Sequence, residues 1–314
     1  MSSPEPAPNP PKGQPEDNPE DKLEDKLEDK PARSRPAPLP LRALKGAVEI
    51  AHSTAVWSAS FAVMSGVVVF GGGLSPVIPF RKTHTYIGGP GMGLCLRLAA
   101  RTLDITYHED FDPERRGVFM QNHVNLMDAH AACAAIPHAF CGLMNAWQFK
   151  IPVYGQIMRL ADGIAVHPGK AGRFKQVAQD AQDRAAKGIS ILAFPEAHRT
   201  RTGDVQPFKR GVFFMARDAG LPIIPLCTHG MFNLMRKGSM RIRRSHVKIF
   251  VGPQIETKGL NKGQLSELIT RTHAVVASFS ETGQVPQDAV RRLQRLREDI
   301  PGGESSRDGD RDVG

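Results

Sequence analysis

Cysteine is scarce. The chain holds four, Cys95, Cys133, Cys141 and Cys227, in 314 residues. None stands in a Cys-x-x-Cys spacing and no histidine cluster accompanies them. That argues against a disulfide framework or thiolate metal site and fits buried, reduced thiols in a cytosol-facing protein. Aromatic residues are also few, at 6%. The basic run Arg236, Lys237, Arg241, Arg243, Arg244 and Lys248 has none interleaved. A single-strand nucleic-acid binder would want aromatics there as stacking platforms. No nucleic-acid motif occurs either, so nucleic acid is not an expected partner. No Gly-x-Ser-x-Gly elbow is present, which removes that route to a covalent serine intermediate. Gly88-Gly89-Pro90-Gly91-Met92-Gly93 lacks the Gly-Lys-Ser/Thr and preceding strand of a phosphate loop and reads as a flexible joint.

Charge is missing from Ile50 to Phe80. That run exceeds the ~18 residues that suggest a membrane span. It starts too late, behind an acidic tail, for an ordinary secretory signal. Serine, alanine and glycine dilute it, and Gly71-Gly72-Gly73, Pro76 and Pro79 break it. Arg42 and Lys45 before it, and Arg81 and Lys82 after it, give no inside–outside bias. A full span, a re-entrant hairpin and an interfacial anchor all fit, as does a buried core helix; a membrane anchor is the favoured reading.

Residues 1–40 are rich in Pro, Glu, Asp and Lys and carry the repeat from Asp21 to Lys30. With so little to bury, this stretch is expected to be disordered. Residues 286–314 are charged as well, with a last helix expected around Arg291 to Arg297. The net charge is +9, of which residues 1–40 hold −3 and residues 286–314 hold −1, leaving +13 on residues 41–285. So basic a middle points to an anionic partner: phosphorylated small molecules, anionic lipid or nucleic acid, the last disfavoured above.

Apolar runs alternate with helical periodicity. Strands are expected at 104–108, 118–120, 140–145, 163–167, 189–194, 222–227 and 247–251. Helices are expected at 94–103, 150–160, 170–187, 208–219 and 260–279. The pattern predicts an α/β fold with a mixed, largely parallel sheet flanked by helices.

His123 lies where the strand ending at Met120 hands over to an Ala-rich helix. On one continuous helix His123 and Asp128 would stand about 140° apart and could not meet. With His123 in the turn and Asp128 in the first helical turn, the carboxylate can reach one imidazole nitrogen, as in a general base. Taken alone, the pair also fits an ordinary turn histidine and a helix-start acid. A second concentration, Pro195-Glu196-Ala197-His198-Arg199-Thr200-Arg201, follows a buried strand, where α/β sheets place ligands. Arginine there suits phosphate. Pro207-Phe208-Lys209-Arg210-Gly211 adds two cations.

In order, Asn122-His123 with Asp128, Gly163-Ile164-Ala165-Val166-His167, Phe194-Pro195-Glu196-Ala197-His198-Arg199-Thr200 and Leu221-Pro222-Ile223-Ile224-Pro225 resemble the four blocks of the glycerolipid acyltransferase family, which includes the 1-acylglycerol-3-phosphate acyltransferases. The resemblance covers roughly residues 94–255. It implies acyl transfer from a thioester, carried by acyl-CoA or acyl carrier protein, to a lysophospholipid hydroxyl, with neither metal nor redox cofactor. It implies His123 as general base, Asp128 as its support, and Asn122, Glu196, Arg199, Lys209 and Pro225 as substrate-binding residues. It divides the chain into a tail (1–40), a membrane-anchoring segment (41–82), an acyltransferase domain (83–285) and a charged tail (286–314). The implied location is an anionic membrane surface, with the catalytic domain facing the cytoplasm. Two departures concern the acceptor. Ala197-His198 stand where the family usually has Gly-Thr, and His167-Pro168 end the second block where Arg is usual, with Lys170 and Arg173 nearby. They keep open another acceptor, such as an amino-lipid, other lysolipid or alcohol, or an inactive lipid-binding relative.

Overall fold

The computed structural model describes residues 39–66, 69, 70, 73, 77–151, 154–167 and 174–298. The acidic repeat, Lys170, Arg173 and everything past Glu298 lie outside the described residues.

The most apolar runs make the centre of the sheet. Strands β1 (Thr102–Tyr107), β2 (Val118–Gln121), β3 (Phe140–Asn145), β4 (Ile164–Val166), β5 (Ser190–Ala193), β6 (Ile223–His229) and β7 (His246–Val251) lie in the order β1-β7-β6-β2-β5-β3-β4. β2 and β5 are buried at every position, as strands covered on both faces must be. From β6 to β4 neighbours run parallel; β7 is antiparallel to β6 and parallel to β1. The mixed, largely parallel α/β sheet expected from the sequence is therefore present.

The helices are α1 (Leu39–Gly66), α2 (Phe80–Thr83), α3 (Gly89–Ala99), α4 (Asp128–Ala135), α5 (Tyr154–Leu160), α6 (Phe174–Ala186), α7 (Gly211–Asp218), α8 (Met231–Leu234), α9 (Lys262–Thr282) and α10 (Gln287–Glu298). Ala181 of α6, Phe213 of α7, Leu268 and Val276 of α9 and Leu293 of α10 close one face of the sheet. Leu96 of α3, Ala131 and Ala135 of α4 and Val56 of α1 close the other. Each large apolar side chain so buried contributes about 1.5–3 kcal/mol.

Two expectations change. The glycine-rich joint is helical: one π turn, His84–Gly88, runs straight into α3, with Pro90 in its first turn. Its glycines serve contact rather than bending. A Cβ on Gly93 would stand 3.2 Å from Ala134 Cα, and one on Gly91 would stand 2.7 Å from Val63 Cγ1. The full-span reading of residues 50–80 also finds no support: among the described residues, no helix is long and apolar enough to cross a membrane. From Gly46 on, α1 belongs to the same unit as the sheet. It buries Ser53, Val56 and Ser60 and leaves Val48, Ile50 and Phe61 exposed.

Candidate active site

β2 stops at Gln121 and α4 begins at Asp128, so residues 122–127 form a turn at the carboxyl end of a central strand. Asp128 organises it. Its Oδ2 accepts the backbone N–H of Val124 at 2.7 Å and of Asn125 at 3.0 Å, and lies 2.8 Å from His123 Nδ1. Burial pushes the Asp128 carboxyl above the usual carboxylate range, and those hydrogen bonds oppose the shift. A carboxylate on Nδ1 puts the proton there and leaves Nε2 with a lone pair. Among the described residues Nε2 has no hydrogen-bond partner. The imidazole is 23% exposed against 2% for the Asp128 side chain, so the ring is open and the carboxylate beside it sealed. Phe194 stacks on the ring, centroids 4.1 Å apart.

The third block is laced to His123 through the backbone. Glu196 Oε1 accepts the His123 N–H at 2.6 Å and Oε2 accepts the Gln206 N–H at 2.7 Å. Burial pushes Glu196 up to about 7, opposed by those two N–H bonds and reinforced by Asp128. The Thr200 N–H donates to the His123 carbonyl at 2.8 Å, and the Lys209 N–H to that of Pro195 at 2.8 Å. Ala197, standing where the family usually has glycine, is left-handed at φ 65°, a region that costs a residue with a Cβ about 1–2 kcal/mol.

The expected substrate-binding residues divide. Arg199 is half-buried, and its guanidinium has no ion pair or hydrogen bond among the described residues. The Lys209 side chain is exposed and also unpaired there. Glu196 is a strap between two backbone segments and does not pair with Arg199. Asn122 is a staple: Nδ2 donates to the Thr228 carbonyl at 3.0 Å and to Ser280 Oγ at 3.2 Å, while Oδ1 accepts the Thr228 N–H and Oγ1–H at 2.9 and 3.0 Å. Its amide has nothing left for a ligand. Pro225 lies inside β6 opposite Met120, buried, with its ring against Gly252. The Gly252 N–H donates to the Pro225 carbonyl at 2.8 Å. Pro225 thus sits where the β6–β7 ladder ends and a missing N–H does least harm. His167 and His198 are exposed and make no hydrogen bond among the described residues. No group of three or more His, Cys, Asp or Glu there is arranged to hold a metal ion.

Three participants escaped sequence reasoning. Thr228 completes the staple. Asn125 donates to the carbonyls of Met231 at 2.7 Å and Met235 at 3.1 Å. Lys237 Nζ donates to the Arg199 carbonyl at 2.9 Å. Their only signal was composition, which does not say which loop folds back on which.

A family model described as Acyltransferase matches residues 103–229. A 1-acyl-sn-glycerol-3-phosphate acyltransferase of Salmonella typhimurium is 25% identical over 211 residues, 67% of this chain and 85% of the relative. Over that span the chain is similar to the glycerolipid acyltransferases. Another protein of the same name, from Limnanthes douglasii, is 25% identical over 180 residues, 57% of this chain and 64% of its own. The match therefore spans just under two thirds of the length of that plant relative. The crystal structure of the 1-acyl-sn-glycerophosphate (LPA) acyltransferase PlsC from Thermotoga maritima aligns with a TM-score of 0.60 at 18% identity, over 75% of this chain and 96% of that one. It shares the acyltransferase fold.

Proposed function

We propose that the chain moves a fatty acyl group from an acyl thioester to the hydroxyl of a lysophospholipid, with 1-acylglycerol-3-phosphate as acceptor and phosphatidate as product. The observation that carries this reading is an open imidazole, backed by a sealed carboxylate, on the same loop assembly as an uncompensated guanidinium. His123 Nε2 takes the hydroxyl proton as the oxygen attacks the thioester carbonyl. Asp128 supports the imidazolium. The tetrahedral intermediate collapses, and the departing thiolate takes the proton back as a free thiol. No side chain becomes acylated. General-base help of this kind accounts for roughly 10²–10⁴-fold in rate. Arg199 holds the acceptor phosphate, and Lys209 lends charge near the mouth. The donor is acyl-CoA or acyl carrier protein, with no further cofactor.

The reaction takes place at an anionic membrane surface on its cytoplasmic side. The +13 on residues 41–285 and exposed Val48, Ile50, Phe61, Leu94 and Leu98 support interfacial seating. A different acceptor is the second reading, favoured by Ala197-His198 and His167 at the departures from the family pattern. Incubating the purified chain with labelled acyl-CoA and a panel of lysolipids, with and without phosphate, tests both. Transfer to the phosphate-bearing acceptor, lost in His123→Ala, is the expected result. Unchanged transfer by His123→Ala would end this mechanism.

A further inference from the structure

We propose that Lys237 is the second cation of the acceptor site and selects acceptors bearing a phosphate monoester. The proposal rests on the acyl-transfer reading above. Lys237 Nζ donates to the carbonyl of Arg199 at 2.9 Å. The next residue, Thr200, donates its N–H to the His123 carbonyl at 2.8 Å. The ammonium is therefore fastened to the strap that holds the base. It has three donors, and the Arg199 carbonyl takes one. Among the described residues no carboxylate pairs with it or with Arg199. Two half-buried cations on adjoining backbone with no counter-ion suit an incoming dianion: arginine offers a planar fork, lysine a point charge.

Four other members of the basic run are committed elsewhere, and Arg244 is exposed. Arg241 and Arg243 face Glu49 of α1 at 3.7 and 3.9 Å. Arg236 lies over the Phe232 ring, 5.2 Å from its centroid, and Lys248 Nζ donates to the Gly283 carbonyl at 3.2 Å. Lys237 is the one turned back toward the strap. Its loop is held at one end by Asn125, in the His123 turn itself, through the Met235 carbonyl. At the other end α1 holds it: the Ile242 N–H donates to Ser53 Oγ at 2.8 Å and Trp57 Nε1 donates to the Met240 carbonyl at 2.8 Å. Lys237 is thus placed by the catalytic turn and the N-terminal helix together.

The test compares wild type, Lys237→Ala, Lys237→Arg and His123→Ala of the full chain. Acyl-CoA turnover is followed with 1-acylglycerol-3-phosphate and with a monoacylglycerol of the same chain length. Binding of 1-acylglycerol-3-phosphate is titrated separately without donor. In Lys237→Ala, both KM and Kd for the phosphate lipid rise about 10- to 100-fold, the range for one charge-assisted hydrogen bond. Its kcat stays within about threefold, KM for monoacylglycerol is unmoved, and Lys237→Arg recovers most of the loss. Equal effects on both acceptors, or an unchanged Kd, would overturn the proposal. Absence of turnover in wild type would sink the acyl-transfer reading instead, and the Kd comparison would still decide Lys237.

Discussion

Two cation-bearing loops are fastened to the His123 turn, and they are held in different ways. The loop from Pro195 to Lys209 is fastened to the sheet and the His123 turn: Glu196 grips the His123 and Gln206 N–H groups, and Thr200 grips the His123 carbonyl. The loop from Met235 to Ser245 is shared, with Asn125 at one end and Ser53 and Trp57 of α1 at the other. Arg199 is therefore as fixed as the β5–β2 pair beneath it. Lys237 inherits whatever α1 does. A buried carboxylate strap gives rigidity, whereas a loop hung between two elements gives coupling.

The comparison can be broken at its common point. His123→Ala should lower kcat about 10²–10⁴-fold while leaving the affinity for a phosphate acceptor nearly intact. Initial rates and donor-free titrations check this together. Glu196→Ala should loosen the first loop alone, removing two part-buried hydrogen bonds to a carboxyl group at about 1 kcal/mol each. A denaturant melt should show that loss with the α1 contacts retained.

Acid should act on the second loop's support. His130 of α4, 3% exposed, has Nε2 3.3 Å from Ser60 Oγ of α1, and burial lowers its pKa from 6.5 to about 4. The unfolded chain therefore binds this proton first. The stability His130 contributes is complete above pH 6.5 and is lost as pH falls toward 4, up to about 3 kcal/mol. Glu196, raised from 4.5 to about 7, works in the opposite sense between those values. The readout is thus the difference between wild type and His130→Gln across pH 4.5–7.5, and His130→Gln should show the flatter acid limb. Trp57→Ala removes one hydrogen bond holding the second loop. It should raise KM for the phosphate acceptor about three- to tenfold with kcat preserved; a fall in kcat alone would show the loops are not separable. Smallest of all, Ala197→Gly relieves a left-handed residue and should add about 0.5–1 kcal/mol once the added freedom of the unfolded chain is subtracted, with activity unchanged.

What could be read from sequence was what is local. Val118–Met120, Ile189–Phe194 and Pro222–Cys227 are continuous apolar runs, and they became the central strands because only a strand covered on both faces tolerates such a run. The approach of His123 and Asp128 needs five residues around one corner. The substrate roles expected of Asn122 and Pro225 come from the family blocks in which both stand; their partners, Thr228 with Ser280 and Gly252, are distant in sequence, and no spacing rule points to them. Gly88–Gly93 was misread for a related reason. Glycine signals either freedom or close approach, and the Ala134 that decides between them belongs to another helix. Lys237 was hidden among five similar cations, distinguishable only by which loop folds over which.

At Gly93 the backbone of α3 lies directly on Ala134 of α4, with no side chain between them to absorb a displacement. Helices meshed that closely shift as one lever, because packed protein interiors transmit strain. The helix whose first residue is Asp128 therefore has its footing in chain that precedes the first strand. A fragment trimmed to the matched span, beginning at Leu103, would keep every residue of the His123 turn and lose the surface that aims it.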